Sequence, residues 1–249
     1  MEKINVRGVL FDNVTMDEAL ARLRQLLAGN TYGNAVYTPN SEIVQNCLTD
    51  ADFRALINRG AVVVPDGVGV IKAARILGTP LKEKVAGVEL GRNLLDIAAA
   101  YSIPVYFLGG KPGVAETAKE KLLADMPSLR IVGTFNGYFQ KEGAENETVL
   151  EKIRQSGAEI LYVCLGCPAQ EHWIDANREK LPNVKLLLGL GGSLDIYAGT
   201  AKRAPKIFIK LGLEWFYRLL KEPKRIGRMM SLPKFYFGTW TAKIFHRNP

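Results

Sequence analysis

Short apolar runs alternate along this chain with longer segments in which apolar residues recur every three or four positions. Residues 35–38, 61–64, 105–108, 160–163 and 185–188 are brief, apolar and bounded by Gly or Pro, the pattern of strands buried on both faces of a parallel sheet. Between them, residues 14–27, 89–100, 114–123 and 148–155 carry helical periodicity. Thr15-Met16-Asp17-Glu18 fits a capping box at the start of the first of these. The alternation predicts an α/β fold with a mostly parallel sheet covered by helices on both faces. No internal repeat, low-complexity tract or flexible linker interrupts it.

Composition narrows the class. Of 249 residues, 47% are hydrophobic and 23% charged, as in folded globular domains. No run approaches the ~18 apolar residues of a spanning helix, which excludes an integral membrane protein. Residues 1–7 lack the apolar core of a signal peptide, so a cytoplasmic location is expected. Three cysteines are too few for a disulfide framework.

The net charge of +8 is unevenly placed. Residues 202–248 hold twelve Lys or Arg against only Glu214 and Glu222, and nine of the 22 aromatics fall there too. The rest of the chain sums to −2, from 21 bases and 23 acids. A near-neutral body over residues 1–200 is therefore expected to carry a basic, aromatic appendage over residues 201–249, with the compositional boundary near residues 199–204. Basic residues interleaved with Trp, Tyr and Phe suit an anionic lipid surface. They also suit single-stranded nucleic acid, and a terminal helical subdomain with its rings packed inward is the plain structural alternative.

Ligands of open α/β sheets bind beyond the C-terminal ends of the strands. Five such loops are rich in Gly, Pro or polar side chains: Thr38-Pro39-Asn40-Ser41-Glu42, Pro65-Asp66-Gly67-Val68-Gly69, Gly109-Gly110-Lys111-Pro112-Gly113, Gly166-Cys167-Pro168-Ala169-Gln170-Glu171 and Gly189-Leu190-Gly191-Gly192-Ser193-Leu194-Asp195. Asp66 suits either a general base or sugar ligand or a helix N-cap. The turns at residues 109–113 and 191–192 suit either a phosphate cradle or simple close packing. Neither is G-x-G-x-x-G followed by an acid, nor a P-loop, which weakens a nucleotide-dependent oxidoreductase.

Cys164-Leu165-Gly166-Cys167 has C-x-x-C spacing, but too few further ligands accompany it for zinc, and two inert cysteines are expected. Asp50-Ala51-Asp52 matches a metal-binding D-x-D, yet it runs into Phe53-Arg54-Ala55-Leu56 and reads as a helix N-terminus. No metal site and no cofactor are expected. In the tail, Phe208, Leu211, Trp215 and Leu219 form one helical stripe. Arg218, Lys221, Arg225 and Arg228 follow at spacings of 3, 4 and 3, interrupted by Pro223. These bases suit either a solvated face or a guanidinium clamp on phosphate.

Together these segments resemble the bacterial glycosyltransferase family named after TagA, WecG and CpsF. The likeness is carried by the loops above and by Gly137-Tyr138-Phe139, Arg203-Ala204-Pro205 and Gly212-Leu213-Glu214-Trp215-Phe216-Tyr217-Arg218-Leu219. It implies a Rossmann-like domain with a C-terminal appendage and a metal-independent, inverting transfer. The best-known reaction of the family moves N-acetylmannosamine from a UDP donor to the C4 hydroxyl of N-acetylglucosamine on undecaprenyl diphosphate, in wall teichoic acid synthesis. Other members transfer N-acetylmannosaminuronic acid or hexoses.

The resemblance would make Asp66 the general base. Thr38, Asn40 and Gln170 would line the sugar pocket, and Tyr138 and Asp195 would hold the uridine. Arg203 lies in a matching motif, and Arg218, Arg225 and Arg228 would close over the diphosphate. Lys84 stands where the family usually has Arg, keeping the charge but not the fork. Ala169 replaces a common Lys. The implied partners are a UDP-sugar, a polyprenyl-diphosphate-linked N-acetylglucosamine and an anionic membrane surface, with the enzyme peripheral on the inner face of the cell membrane. Five convergent polar loops on a neutral body argue against nucleic acid as a partner, and self-association is left open.

Overall fold

The computed structural model describes residues 2–201, 204–205, 208, 216–217 and 231–245. A hairpin comes first, β1 (Lys3–Val6) and β2 (Val9–Asp12), paired antiparallel. Its turn holds Arg7 and Gly8 at positive φ and is closed by the Gly8 N–H donating to Asn5 Oδ1 at 2.7 Å. Asp12 then ties the hairpin to the main sheet: its Oδ2 accepts the Val63 N–H at 2.8 Å, and its Oδ1 pairs with Lys3 at 3.0 Å.

The main sheet has six parallel strands: β3 (Asn34–Tyr37), β4 (Val62–Val63), β5 (Val105–Gly109), β6 (Ile131–Phe135), β7 (Ile160–Cys164) and β8 (Leu186–Gly189). Their order is β4-β3-β8-β7-β5-β6. All five strands expected from the apolar runs are present. β6 and the hairpin are additions.

Side chains alternate between two cores, as the pleat requires. Tyr37, Leu108, Leu161, Val163 and Leu187 face helices α2 (Ser41–Thr49), α3 (Ala51–Asn58), α4 (Val68–Leu77), α7 (Gly143–Ser156) and α8 (Ala169–Asn177). Val36, Phe107, Tyr162 and Leu188 face α1 (Met16–Ala28), α5 (Gly87–Ala100), α6 (Val114–Asp125) and α9 (Ser193–Tyr197). The sheet is thus covered on both faces, and the Rossmann-like α/β expectation holds.

The capping box forms as read: the Thr15 side chain accepts the Glu18 N–H, and Glu18 reaches back to the Thr15 N–H. A last helix, α10 (Ser231–Ile244), packs against α2 and α4.

Candidate active site

Because every strand of the main sheet runs the same way, all six C-terminal ends open on one edge. The β5 crossover leads outward to β6, while the β7 crossover leads the other way to β8. The β5/β7 boundary is therefore a topological switch point, where such sheets bind ligands.

Hydrogen bonds join the loops along this edge. The Asp66 N–H donates to Pro39 O at 3.1 Å, linking the β4 and β3 loops. Thr38 Oγ1 donates to Gly189 O at 3.3 Å, linking β3 to β8. The Gly191 N–H donates to Gln170 Oε1 at 2.9 Å, linking β8 to the loop after β7. The Gly110 N–H reaches Cys164 O at 3.1 Å, and the Gly137 N–H reaches Gly110 O at 2.8 Å, extending the line to β5 and β6. The Val85 N–H donates to Pro65 O at 2.9 Å and brings Lys84 alongside the Asp66 loop.

Two glycines allow these approaches. Gly109 sits at φ +134°, where a Cβ would lie 2.2 Å from Cys164 O. A Cβ on Gly87 would lie 2.8 Å from Thr38 Oγ1, so any larger residue would push α5 off the β3 loop.

The structure thus brings together Asp66, Thr38, Asn40, Lys84, Gln170 and Asp195 on one edge. Gly67, not Asp66, occupies the N-cap of α4. Asp66 stands one residue before that N-cap, half-buried. Asn40 caps α2: its Oδ1 accepts the Glu42 and Ile43 N–H groups at 2.9 and 3.1 Å. Asp195 is half-buried on α9, its backbone carbonyl taken by Ala201 and Thr200.

Tyr138 presents its ring to solvent, 69% exposed, at the tip of a held loop. Asn136 Oδ1 accepts the Tyr138 N–H at 2.8 Å, and Lys141 Nζ donates to the carbonyls of Gly137 and Phe139. Lys141 also lies 3.8 Å over the Phe139 ring, and burial lowers its pKa. Arg203, Arg218, Arg225 and Arg228 lie outside the described residues, as do Leu211, Trp215 and Leu219 of the aromatic stripe. Phe208 and Tyr217 are described and sit with ring centroids 5.5 Å apart.

Glu171 has no role in the sequence reading, yet it is 2% exposed beside Gln170, itself 3% exposed. Burial pushes its carboxyl up to about 7. A trace of this is present in the sequence: Gln170, Trp173, Ile174 and Asn177 follow helical spacing, so polar groups share the buried stripe of α8.

The other motifs are placed as follows. Asp50 N-caps α3, its Oδ1 accepting the Phe53 N–H at 2.8 Å. All three cysteines are free, and burial pushes Cys47 and Cys164 up to about 12 and Cys167 higher still. Among the described residues no group of three His, Cys, Asp or Glu side chains is placed to hold a metal. A cleft of about 460 Å³ lined by Tyr32, Asn34, Arg59 and Arg178 opens at the other edge, before the strands begin. Both of its arginines are paired with Asp175, at 2.8 and 3.7 Å.

The model of the glycosyl transferase WecG/TagA/CpsF family matches residues 4–249. The chain belongs to this family. It is 36% identical over 242 residues to proteins of Staphylococcus aureus strains MRSA252, MW2 and NCTC 8325 / PS 47. Each is named N-acetylglucosaminyldiphosphoundecaprenol N-acetyl-beta-D-mannosaminyltransferase, and the matches span 97% of this chain and 93% of each relative.

As a WecG/TagA/CpsF family member the protein is a glycosyltransferase. Its edge offers what such a reaction needs: a carboxylate beside amide and hydroxyl groups, with glycine turns close enough for backbone N–H groups to meet an anion.

Proposed function

We propose that this glycosyltransferase moves N-acetylmannosamine from UDP-N-acetylmannosamine to the C4 hydroxyl of N-acetylglucosamine on a polyprenyl diphosphate, with inversion. The name of the Staphylococcus aureus relatives supports the acceptor and the sugar. The observation that carries the chemistry is Asp66, half-buried outside its helix and tied through the Pro39 carbonyl to the loop of Thr38 and Asn40. Its carboxylate takes the proton as the acceptor O4 attacks the anomeric carbon. The bond from that carbon to the UDP oxygen breaks, and UDP leaves with the electron pair. Thr38, Asn40 and Gln170 line the sugar pocket in this reading, and Tyr138 and Asp195 hold the uridine. Lys84, Arg203, Arg218, Arg225 and Arg228 offset the charge of the leaving diphosphate in place of a divalent ion.

The division into a catalytic body over residues 1–200 and an appendage over residues 201–249 belongs to this proposal. The acceptor's lipid stays in a bilayer, so the site must come to a membrane surface. Among the described residues no helix is long and apolar enough to cross one. On α10, Phe235, Thr239 and Ala242 are buried, whereas Phe237, Trp240, Ile244 and both Lys234 and Lys243 are exposed, as is Phe245 just beyond the helix. Rings and ammonium groups on one outer face suit an anionic interface, which supports peripheral attachment at the inner face of the cell membrane.

The test is a panel of UDP-sugars with a polyprenyl-diphosphate N-acetylglucosamine analogue, in EDTA and in Mg²⁺, with the product's linkage and anomeric configuration read by NMR. A β-1,4 N-acetylmannosaminyl product at equal rates in both buffers is expected. Transfer of another sugar would leave the family chemistry and change the donor, and a rate restored only by the metal would remove the arginines' proposed role.

A further inference from the structure

We propose that Glu171 is a positioning residue: its carboxylate orients the Gln170 amide, and through that amide it sets the Gly191-Gly192 turn that leads to Asp195. The proposal rests on the reading of Asp195 as a uridine contact.

Three observations carry it. First, the hydrogen bonds form a directed line. Gln170 Nε2 donates to Glu171 Oε1 at 2.8 Å, and Gln170 Oε1 accepts the Gly191 N–H at 2.9 Å. An amide can turn over and exchange its oxygen and nitrogen; a carboxylate on one side, able only to accept when ionised, removes that freedom. With the amide turned over, Nε2 would face the Gly191 N–H, donor against donor, and the turn would be released.

Second, Gln170 is pressed against the strand end it serves. A Cβ on Gly189 would come within 3.2 Å of Nε2. The helix behind it is held independently: Trp173 Nε1 donates to Asn146 Oδ1 at 2.7 Å, Asn146 Nδ2 to Asn177 Oδ1 at 3.0 Å, and Asn177 Nδ2 to the Trp173 carbonyl at 2.9 Å. α8 is thus locked to α7, and Glu171 pushes from a fixed base.

Third, Glu171 is a poor choice for stability. Its Oε2 is buried and has no hydrogen-bond partner among the described residues. A buried carboxyl satisfied on one oxygen costs free energy that an apolar side chain of similar size would not. Retaining such a group at a ligand-binding edge points to use of its acceptor, since local rules are broken chiefly where function needs it.

The experiment uses the full-length protein and two readouts, thermal unfolding and UDP affinity by calorimetry, neither of which needs the donor sugar to be known. Glu171→Met is expected to melt no lower than wild type yet bind UDP about tenfold more weakly, the worth of roughly one well-placed hydrogen bond. Glu171→Gln keeps a carbonyl for Gln170 Nε2 but adds an NH2 that can meet the turned-over amide, so it is expected to bind UDP with an affinity between those of wild type and Glu171→Met. Gln170→Ala should lose about tenfold, and the Gln170→Ala/Glu171→Met double variant no more than that, because both changes cut one line. Losses that multiply in the double variant would overturn the proposal, as would a Glu171→Met protein that melts well below wild type or binds UDP normally. If wild type binds UDP but transfers some other sugar, the donor assignment fails and the role of Glu171 stands. If wild type does not bind UDP, both fall.

Discussion

Asp66 and Glu171 are two acids on one sheet edge with opposite surroundings. Asp66 is half-buried outside the N-cap of α4, next to the loop that carries Thr38 and Asn40. Replacing it by Asn keeps the shape and removes the base, so turnover should fall by roughly 10²–10⁴-fold while UDP affinity stays within a few-fold; turnover near wild type would remove it from the mechanism. Glu171 is buried, and its raised pKa has a consequence for stability. Between the ordinary carboxylate range and about 7 the folded protein holds a proton that the unfolded chain has lost. Stability should therefore fall as pH rises through that window, and the burial cost is in full force above it. Burial sets this direction against the groups that face the carboxyl: hydrogen bonds from the Gln170 amide and the Cys167 thiol act the other way and are outweighed, while Glu42 and Cys47 on α2 and Tyr37 on β3 bring no positive charge beside it. The melting-temperature advantage of Glu171→Gln should be larger at pH 8 than at pH 5, by on the order of 5 °C; an equal gap at both would show that the carboxyl does not change state. Asp66 could be picked out from the sequence because it ends an apolar run. Glu171 left only a trace, in the helical spacing of α8, because burial of an acid is decided by which helix face meets which strand.

Among the elements, α10 is the informative one. Its sequence mixes rings on every side, so periodicity does not say which are inside. Packing against α2 and α4 decides it: Phe235 is fully buried, whereas Phe237 and Trp240 are 74% and 56% exposed. Beneath α10 the two helices it covers approach closely: a Cβ on Gly69 of α4 would lie 2.0 Å from Ser41 Oγ of α2, with Tyr236 Oη of α10 3.4 Å away. Phe235→Ala should cost about 3–5 kcal/mol, the usual price of an emptied aromatic site, and lower the melting temperature. Phe237→Ser/Trp240→Ser should leave the melting temperature nearly unchanged yet weaken binding to anionic vesicles by tenfold or more, which a flotation assay reads directly; unchanged binding would remove α10 from the interface. The strands show where element reading stops. β6 is an edge strand whose residues are mostly half-buried, and the hairpin strands are four residues each, too short for a clear period. α7 begins at Gly143, five residues before the expected start, because its first turn is polar and is shaped by Glu145, whose Oε2 accepts the Gln140 N–H at 2.7 Å.

At the scale of the whole molecule, a body of charge −2 is joined to a tail of charge +10. Attraction to anionic vesicles should reside in the tail and weaken steeply with salt, as surface charge is screened within about 10 Å at 0.1 M. Deleting residues 201–249 should abolish both vesicle binding and transfer to a soluble acceptor. It should leave a folded sheet that melts lower, because the deletion uncovers the α2 and α4 surface that Phe235 occupies. Normal turnover by the truncated protein would confine the tail to packing. From the sequence alone came the sheet, five of its six strands, helices on both its faces and the polar loops at one edge, because buried strands and amphipathic helices must write their burial into the order of residues. The segregation of charge came from there as well, being a property of composition. Only the folded chain decided how the loops are joined, that Gly67 rather than Asp66 caps α4, that Asn40 caps α2, and that Glu171 lies sealed behind Gln170. Each of these depends on contacts between segments far apart in the chain, and no local pattern records which distant carbonyl or carboxylate a side chain will meet.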